Sequence, residues 1–195
     1  MMGPSSQLSD HIFLRKGVLP SDICDNIVSD ITDRSWQKHT WYDKAKDSSY
    51  SEENKELSML LPVPSLQNKL NPFVIDSINK YQEREKYVNG NDNTSVLAYQ
   101  YSNIKFNRYK EGQMMRLHHD HISSLFDGNA KGIPVASMII NFNDGYSGGD
   151  LVFWDDYVIP LEKGDVVMFP SLYLYPHKVT ELQSGIRYSG ACWIW

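Results

Sequence analysis

The segment "MRLHHDHI" holds three histidines and one aspartate at four consecutive positions, from His118 to His121. Side chains of both types bind metal ions in proteins. If the segment is extended, alternate side chains point to opposite faces, so His118 lies beside Asp120 and His119 lies beside His121. A metal ion can therefore take one of these pairs but not all four residues. In a helix, residues two apart do not face each other at all.

Two histidines and one carboxylate form the facial triad of mononuclear iron enzymes, which leaves coordination positions open for substrates. His118 and Asp120 supply one residue of each type, and a distant histidine must supply the third. The chain has six histidines, and His177 in "YPHKV" is the only one that follows the cluster. A zinc site is the alternative, although a hydrolytic zinc site also needs a general base. A solvent-exposed strand edge with no metal fits the spacing equally well.

Two elements of the first half are predicted to be helices. The first follows Pro20, with Ser21 or Asp22 as its cap and isoleucines every four residues from Ile23 to Ile31. The second is "NPFVIDSINKYQEREKY", residues 71–87, with an asparagine cap, a proline at the first helical position and an apolar stripe.

The segment 43–56, between these helices, is polar and aperiodic. This pattern is typical of a mobile loop or lid, and equally of a plain surface excursion. Trp36, Trp41 and Tyr42 lie beside it and could stack on a ligand or simply pack in the core.

Short β-type runs fill residues 96–195, separated by turn signals such as "NDGYSGGD" and "EKGD". Helices in residues 1–95 followed by many short strands predict an α+β, mainly β fold. The helices would pack on one sheet of a β-sandwich or barrel, and 195 residues favour a single domain.

Composition and sequence pattern argue against several other classes of protein. The net charge of −5 and the lack of a basic stripe with interleaved aromatics disfavour nucleic-acid binding. No apolar run is long enough to span a membrane, and the first residues lack the pattern of a secretory signal, so we expect a cytoplasmic protein. Cys24 and Cys192 lie in apolar surroundings and are predicted to be buried, reduced thiols.

Four ordered segments of residues 105–195 resemble the Fe(II)/2-oxoglutarate-dependent dioxygenases, and specifically their prolyl 4-hydroxylase-like branch. "NRYKEGQMMRLHHDH" is similar to the family's segment that leads into His-x-Asp, with Gly112 six residues before His118. "NFNDGYSGGDLVF" is similar to its Gly-Gly turn, and "EKGDVVMFPS" to the strand before its distal histidine. "HKVTELQSGIRYS" is similar to its closing segment, in which Arg187 follows His177 by ten residues.

The resemblance implies a double-stranded β-helix, or jelly roll, that binds Fe(II) through His118, Asp120 and His177. It also implies that 2-oxoglutarate chelates the iron and that its distal carboxylate meets Arg187, whose planar guanidinium suits such a pair. His119 and His121 have no metal role in this interpretation and are expected to be solvated strand residues or groove residues.

Other residues near Arg187 are predicted to contribute to the same pocket. Ser189 shares its strand face and could donate its hydroxyl to the same carboxylate. Tyr109 matches the family's tyrosine before His-x-Asp, which often reaches the cosubstrate, although core packing is its alternative role. Trp193 could wall the pocket on that face, but a core role is favoured.

The function that the resemblance implies is hydroxylation of an unactivated C–H bond with O2, releasing succinate and CO2. Ascorbate is a candidate reductant. A prolyl residue of a peptide or protein is the favoured substrate. The alternatives are a free amino acid or other small molecule and, from another class, a non-catalytic jelly-roll binding module. Because Asp120 is a carboxylate, halogenation is disfavoured.

Overall fold

The structure, a computed structural model, describes residues 7–43, 46–51, 55–88, 100–120 and 134–195. Its two α-helices are α1 (Ser21–Thr32) and α2 (Pro64–Val88), and a short 3-10 helix covers Leu8–His11. The strands are β1 (Phe13–Arg15), β2 (Gln37–Lys38), β3 (Trp41–Asp43), β4 (Ser48–Tyr50), β5 (Ser58–Leu60), β6 (Lys105–Lys110), β7 (Met115–His118), β8 (Ala136–Asn141), β9 (Ser147–Gly148), β10 (Leu151–Phe153), β11 (Tyr157–Ile159), β12 (Val166–Pro170), β13 (His177–Val179), β14 (Leu182–Ser184) and β15 (Ile186–Ile194).

Helix α1 forms where the sequence predicts it, and its apolar face enters the core through Cys24, Ile27 and Ile31. The predicted cap is wrong. Pro20 occupies the N-cap position without a side-chain hydrogen bond, and Ser21 is the first helical residue. Asp22 lies in the first turn, where its carboxylate interacts favourably with the helix dipole.

Helix α2 begins at Pro64, so the predicted start at Asn71 is wrong. Pro72 lies inside the helix, where it cannot donate a backbone hydrogen bond and normally destabilises the helix. The preceding turns offset this cost because Leu66 and Leu70 are fully buried in the core. The side chain of Gln67 donates to that of Asn71 across the same turn, at 2.7 Å.

Two antiparallel sheets form the body of the fold and confirm the prediction of a mainly β protein. The larger has seven strands in the order β1-β12-β8-β15-β6-β5-β2, and the smaller has four in the order β11-β10-β13-β7. One apolar cluster lies between the large sheet and the two helices, and a second contains side chains from both sheets. The large sheet draws strands from both halves of the chain.

Strand alternation decides which residues of the large sheet face the helices. On β15, Tyr188, Cys192 and Ile194 join the cluster that contains the helices. The odd-numbered residues Arg187, Ser189, Ala191 and Trp193 face the smaller sheet, as the period of two in a strand requires. The register of β15 against β6 pairs Arg187 with Tyr109 on that inner face.

The predicted loop 43–56 contains ordered strand pairing at its start. Strands β3 and β4 form a hairpin in which Trp41 pairs with Tyr50, and residues 44–45 and 52–54 lie outside the described part of the chain. In the described residues, no helix combines the length and the apolar character needed to cross a bilayer.

Both cysteines are buried and free, as predicted. Burial raises the pKa of the Cys24 thiol to about 11 and that of Cys192 to about 12. Since the thiolate is the reactive species, we expect neither thiol to react with a disulfide reagent in the native protein at pH 8. Both should react at once in denaturant. Fast reaction of either thiol in the native state would contradict this placement.

Candidate metal centre

His118, Asp120 and His177 form a cluster in which one ligand atom from each residue lies within 4.8 Å of the others. The Nε2 atoms of His118 and His177 lie 3.6 and 3.8 Å from the two carboxylate oxygens of Asp120. Strand pairing builds this cluster, because the end of β7 lies against the start of β13 with His118 opposite His177. Across the described ranges, it is the one such group of three.

Each histidine is held so that its Nε2 atom is the free ring nitrogen. His118 Nδ1 lies 2.8 Å from the carbonyl oxygen of Arg116, and His177 Nδ1 lies 3.1 Å from that of Tyr175. An Nδ1–H that donates to a carbonyl fixes the tautomer and leaves the Nε2 lone pair for a metal. The backbone therefore orients both imidazoles towards Asp120.

Aromatic rings surround the two imidazoles. Phe169 meets the His177 ring edge-on at 4.8 Å, and Phe153 lies 5.3 Å from it. Trp41 meets the His118 ring edge-on at 5.5 Å. His177 is only 3% exposed, so its ring has little freedom to leave this position.

The electrostatics favour a neutral imidazole beside an ionised carboxylate. Burial, together with the neighbouring His177, lowers the pKa of His118 to about 4. Burial alone would raise the pKa of Asp120, but His177 and His118 outweigh it and hold that pKa below its usual value. Near neutral pH, His118 and Asp120 are therefore already in the protonation states that bind metals.

The metal-free protein is expected to lose stability as the pH falls from 6.5 to about 4. The unfolded chain takes up a proton on His118 near pH 6.5, whereas the folded chain does so only near pH 4. This difference is worth about 3 kcal/mol. In the His118→Gln variant, the unfolding free energy should therefore decrease less as the pH falls. The measurement is urea titration in the presence of chelator at pH 7, 5 and 4. An unchanged fall in this variant would contradict the assigned shift.

The cluster lies in a cavity of about 240 Å³ between the two sheets. The cavity also contains Tyr109, Arg187, Ser189 and Trp193, the residues that the sequence predicts beside the metal ligands. Their roles stay predictions. The remaining lining residues are His39, Trp41, Lys105, Asn107, Met115, His119, Met138, Ile139, Val179, Ala191 and Cys192.

Arg187 is a buried cation with no counter-charge among the residues that the structure describes. It is 1% exposed, and none of its three side-chain nitrogens has a hydrogen-bond partner among the residues that the structure describes. Its guanidinium lies over the ring of Tyr109, 5.2 Å from the centroid. Burial raises the pKa of Tyr109 to about 12, so this phenol is neutral. An uncompensated buried guanidinium is costly, which indicates that an anionic ligand completes the site.

The Gly-Gly turn makes room for this arginine. Gly149 has a φ of +67°, a conformation that side chains other than glycine rarely adopt. A Cβ atom there would lie 2.8 Å from Leu182 Cδ1 and 3.3 Å from Arg187 Cδ. The turn therefore allows the backbone to approach the arginine closely.

The sequence matches the family model of the 2OG-Fe(II) oxygenase superfamily over residues 104–195. Those residues contain all three clustered ligands and Arg187. Residues 104–195 belong to this superfamily. Members of this superfamily use Fe(II), 2-oxoglutarate and O2.

Curated relatives of the oxygenase domain are PKHD-type hydroxylases. One from Acinetobacter baumannii is 35% identical over 95 residues, which are 46% of this chain and 41% of the relative. Another, from Shewanella oneidensis, is 34% identical over 105 residues, 52% of this chain and 46% of the relative. The chain thus spans less than half the length of these relatives.

Solved structures confirm the jelly roll. A Trichoplax adhaerens prolyl hydroxylase, in complex with a hypoxia inducible factor peptide, has a TM-score of 0.69 and 13% identity. The alignment covers 96% of this chain and 84% of that one. A viral collagen prolyl hydroxylase from Paramecium Bursaria Chlorella virus-1, in its 2OG complex, has a TM-score of 0.62, 16% identity and 94% coverage of both chains.

The donor set of the oxygenase domain fits both groups that the family implies. Two imidazoles and one carboxylate, with no fourth ligand in the cluster among the described residues, match the open Fe(II) site of this chemistry. The unpaired guanidinium of Arg187 fits the distal carboxylate of 2-oxoglutarate, with which it can form two parallel hydrogen bonds.

Sequence reasoning named Trp41 as a possible ligand-stacking residue but missed the residues around it, Glu56, Arg116 and His39. Trp41 donates to the buried carboxylate of Glu56 at 2.8 Å, and Arg116 lies 3.4 Å from the same oxygen. His39 also lines the cavity, with its Nδ1 3.7 Å from Glu56. These contacts join segments far apart in the chain, so local spacing carries no signal for them. Lys105 could have been found from the sequence, because it precedes Tyr109 by four residues and therefore lies on the same strand face.

The two other histidines of the opening segment stay outside the ligand set. His119 is exposed and lies at the cavity, which agrees with a groove residue. His121 lies outside the described residues.

Proposed function

We propose that the protein is an Fe(II)- and 2-oxoglutarate-dependent hydroxylase that oxidises an unactivated C–H bond. The favoured substrate is a prolyl residue of a peptide or protein. One observation carries the proposal: a His-Asp-His cluster and an uncompensated buried arginine share a single cavity. A non-catalytic jelly-roll module needs neither feature. In this proposal, residues 1–95 support the jelly roll of residues 96–195 within one catalytic domain.

His118, Asp120 and His177 would hold the iron. When bound, Fe(II) and 2-oxoglutarate supply the activation of O2 that hydroxylates the C–H bond, with release of succinate and CO2. Arg187 neutralises the distal carboxylate of the cosubstrate and fixes its orientation by a bidentate pair. Ser189, on the same strand face, adds a hydroxyl donor beside that pair.

The residues around the iron site exclude water and hold the ligands still. Phe153 and Phe169 cover the His177 ring, and the neutral phenol of Tyr109 covers one face of Arg187. A dry, preorganised surrounding strengthens the charge interactions in the site.

The β3–β4 hairpin is proposed to flank the bound peptide. Its Trp41 lines the cavity and contacts His118. The Arg116 guanidinium lies between the rings of Trp41 and Tyr50, at 4.5 and 5.1 Å from their centroids. This stacking ties both strands of the hairpin to β7, whose last residue is a proposed ligand.

Support for a prolyl substrate comes from the solved relatives, which are prolyl hydroxylases, one of them with a peptide bound. The test is turnover of a proline-rich peptide library by protein reconstituted with Fe(II), 2-oxoglutarate and ascorbate in air. We expect one peptide class to gain a single oxygen, with an equal amount of succinate. The His118→Ala variant should form neither product. No iron-dependent succinate with any peptide, together with unchanged iron binding in His118→Ala, would contradict the proposal.

A further inference from the structure

The cavity holds a second cation, Lys105, at a distance from Arg187. Lys105 pairs with Ala191 across β6 and β15, and Arg187 pairs with Tyr109. The two cations are therefore separated by four residues along the strands, or about 13 Å of extended chain. Both lie on the inner face of the large sheet and line the same cavity.

No anion in the described chain contacts the Lys105 amine. The amine lies over the ring of Trp193, whose centroid is 5.2 Å from Nζ. Asp120 acts on it electrostatically but makes no ion pair with it. Glu56, a buried carboxylate near the cavity, pairs instead with Arg116 and accepts a hydrogen bond from Trp41. The amine is thus available to a ligand.

Further unpaired polar atoms belong to residues that line the same cavity. The Nε1 atom of Trp193 is a buried donor, and the Oδ1 atom of Asn107 is a buried acceptor. Neither has a hydrogen-bond partner in the part of the chain that the structure describes. Both residues line the cavity. Buried polar atoms without partners are rare in folded proteins, and a ligand in the cavity would satisfy both of these.

The cosubstrate leaves Lys105 unpaired in the proposed complex. One carboxylate of 2-oxoglutarate binds at the metal and the other meets Arg187. The charges of Fe(II), the cosubstrate dianion, Asp120 and Arg187 then sum to zero. The positive charge of Lys105 then has no counter-charge among the described residues, and an anionic ligand in the cavity would supply one.

We infer that Lys105 binds a carboxylate of the primary substrate, assisted by the indole N–H of Trp193. This inference rests on the proposed hydroxylase function and specifies its substrate as an acid. The carboxylate has three possible sources: a free amino acid, the C-terminus of a peptide, or an aspartate or glutamate side chain.

The test is calorimetric binding to protein loaded with Mn(II) and 2-oxoglutarate, in which no turnover occurs. The probes are the twenty N-acetyl amino acids, their carboxamides and the free amino acids. We expect at least one acid to bind about tenfold or more tightly than its matched amide. Preference for free, N-acetylated or side-chain acids identifies the source of the carboxylate.

Lys105→Met should abolish this preference, and Lys105→Arg should restore it in part. The control is Lys110→Met, which removes an exposed lysine of the same strand and should leave the preference intact. Affinity for 2-oxoglutarate should stay unchanged in all three variants. A panel in which no acid binds more tightly than its amide overturns the inference. So does a Lys105→Met variant that loses 2-oxoglutarate affinity instead.

Failure of this inference is distinguishable from failure of the proposed function. Succinate formation that depends on iron, in protein without acid preference, refutes the role of Lys105 alone. Acid preference without any succinate formation refutes the hydroxylase and leaves an acid-binding site.

Discussion

Replacing His177 with alanine is expected to lower 2-oxoglutarate turnover by more than a hundredfold. Mutating residues that merely orient metal ligands costs 10- to 100-fold in affinity or activity, and His177 is itself a proposed ligand. Its Nε2 atom lies 3.8 Å from Asp120, within the cluster that these two residues form with His118. The measurement is succinate formation at saturating Fe(II), together with metal content after dialysis.

The matched control is His119→Ala. His119 lies next to His118 in the chain and reaches the same cavity, but it is exposed and does not belong to the cluster. We expect this variant to retain its metal and its basal 2-oxoglutarate turnover. Because loss of a buried ring could unfold the protein, circular dichroism of both variants must accompany the assay. Folded His177→Ala protein with near-normal turnover would exclude the proposed ligand set.

Replacing Arg187 with methionine is expected to separate cosubstrate binding from stability. Removing one partner of a buried charged pair typically costs 2–5 kcal/mol of binding, so affinity for 2-oxoglutarate should fall by about a hundredfold or more. Without the ligand, however, Arg187 is a buried cation with no partner in the described residues. An apolar side chain of similar length removes that penalty. The metal-free, cosubstrate-free variant should therefore be as stable as the native protein or more stable.

The affinity for the cosubstrate is measured by 2-oxoglutarate titration, and the free energy of unfolding is measured by urea denaturation. Arg187→Lys should recover part of the affinity, since it retains the charge but not the bidentate geometry. Arg15→Met is the control, because Arg15 pairs with Asp76 at 2.8 Å and lies outside the cavity. Strong destabilisation of Arg187→Met with unchanged 2-oxoglutarate affinity would show that the arginine serves the fold.

The metal cluster could be found in the sequence because two of its ligands are local. Strand alternation alone groups His118 with Asp120, and the only later histidine is His177. The resemblance to the dioxygenases then selected this pair over His119 and His121. The pairing of β7 with β13 that brings the distant ligand into place follows from tertiary structure, and spacing gives no direct signal for it.

Other features depended on contacts that local rules do not encode. Pro72 signals the start of a helix, but buried leucines in the preceding turns extend α2 back to Pro64. The β3–β4 hairpin overlaps the polar segment 43–56, and the indole of its Trp41 reaches Glu56 fifteen residues away. Tertiary contacts overrode the local signal in both cases.

Anaerobic titration of the protein with Fe(II) and 2-oxoglutarate tests the central claim most directly. Iron(II) chelated by a 2-oxo acid has a visible charge-transfer absorption that neither component shows alone. The account predicts that this band saturates at one iron and one 2-oxoglutarate per chain. The band should be absent in His177→Ala and should persist in His119→Ala. No band in the native protein, or an undiminished band in His177→Ala, would contradict the claim that His118, Asp120 and His177 hold the iron.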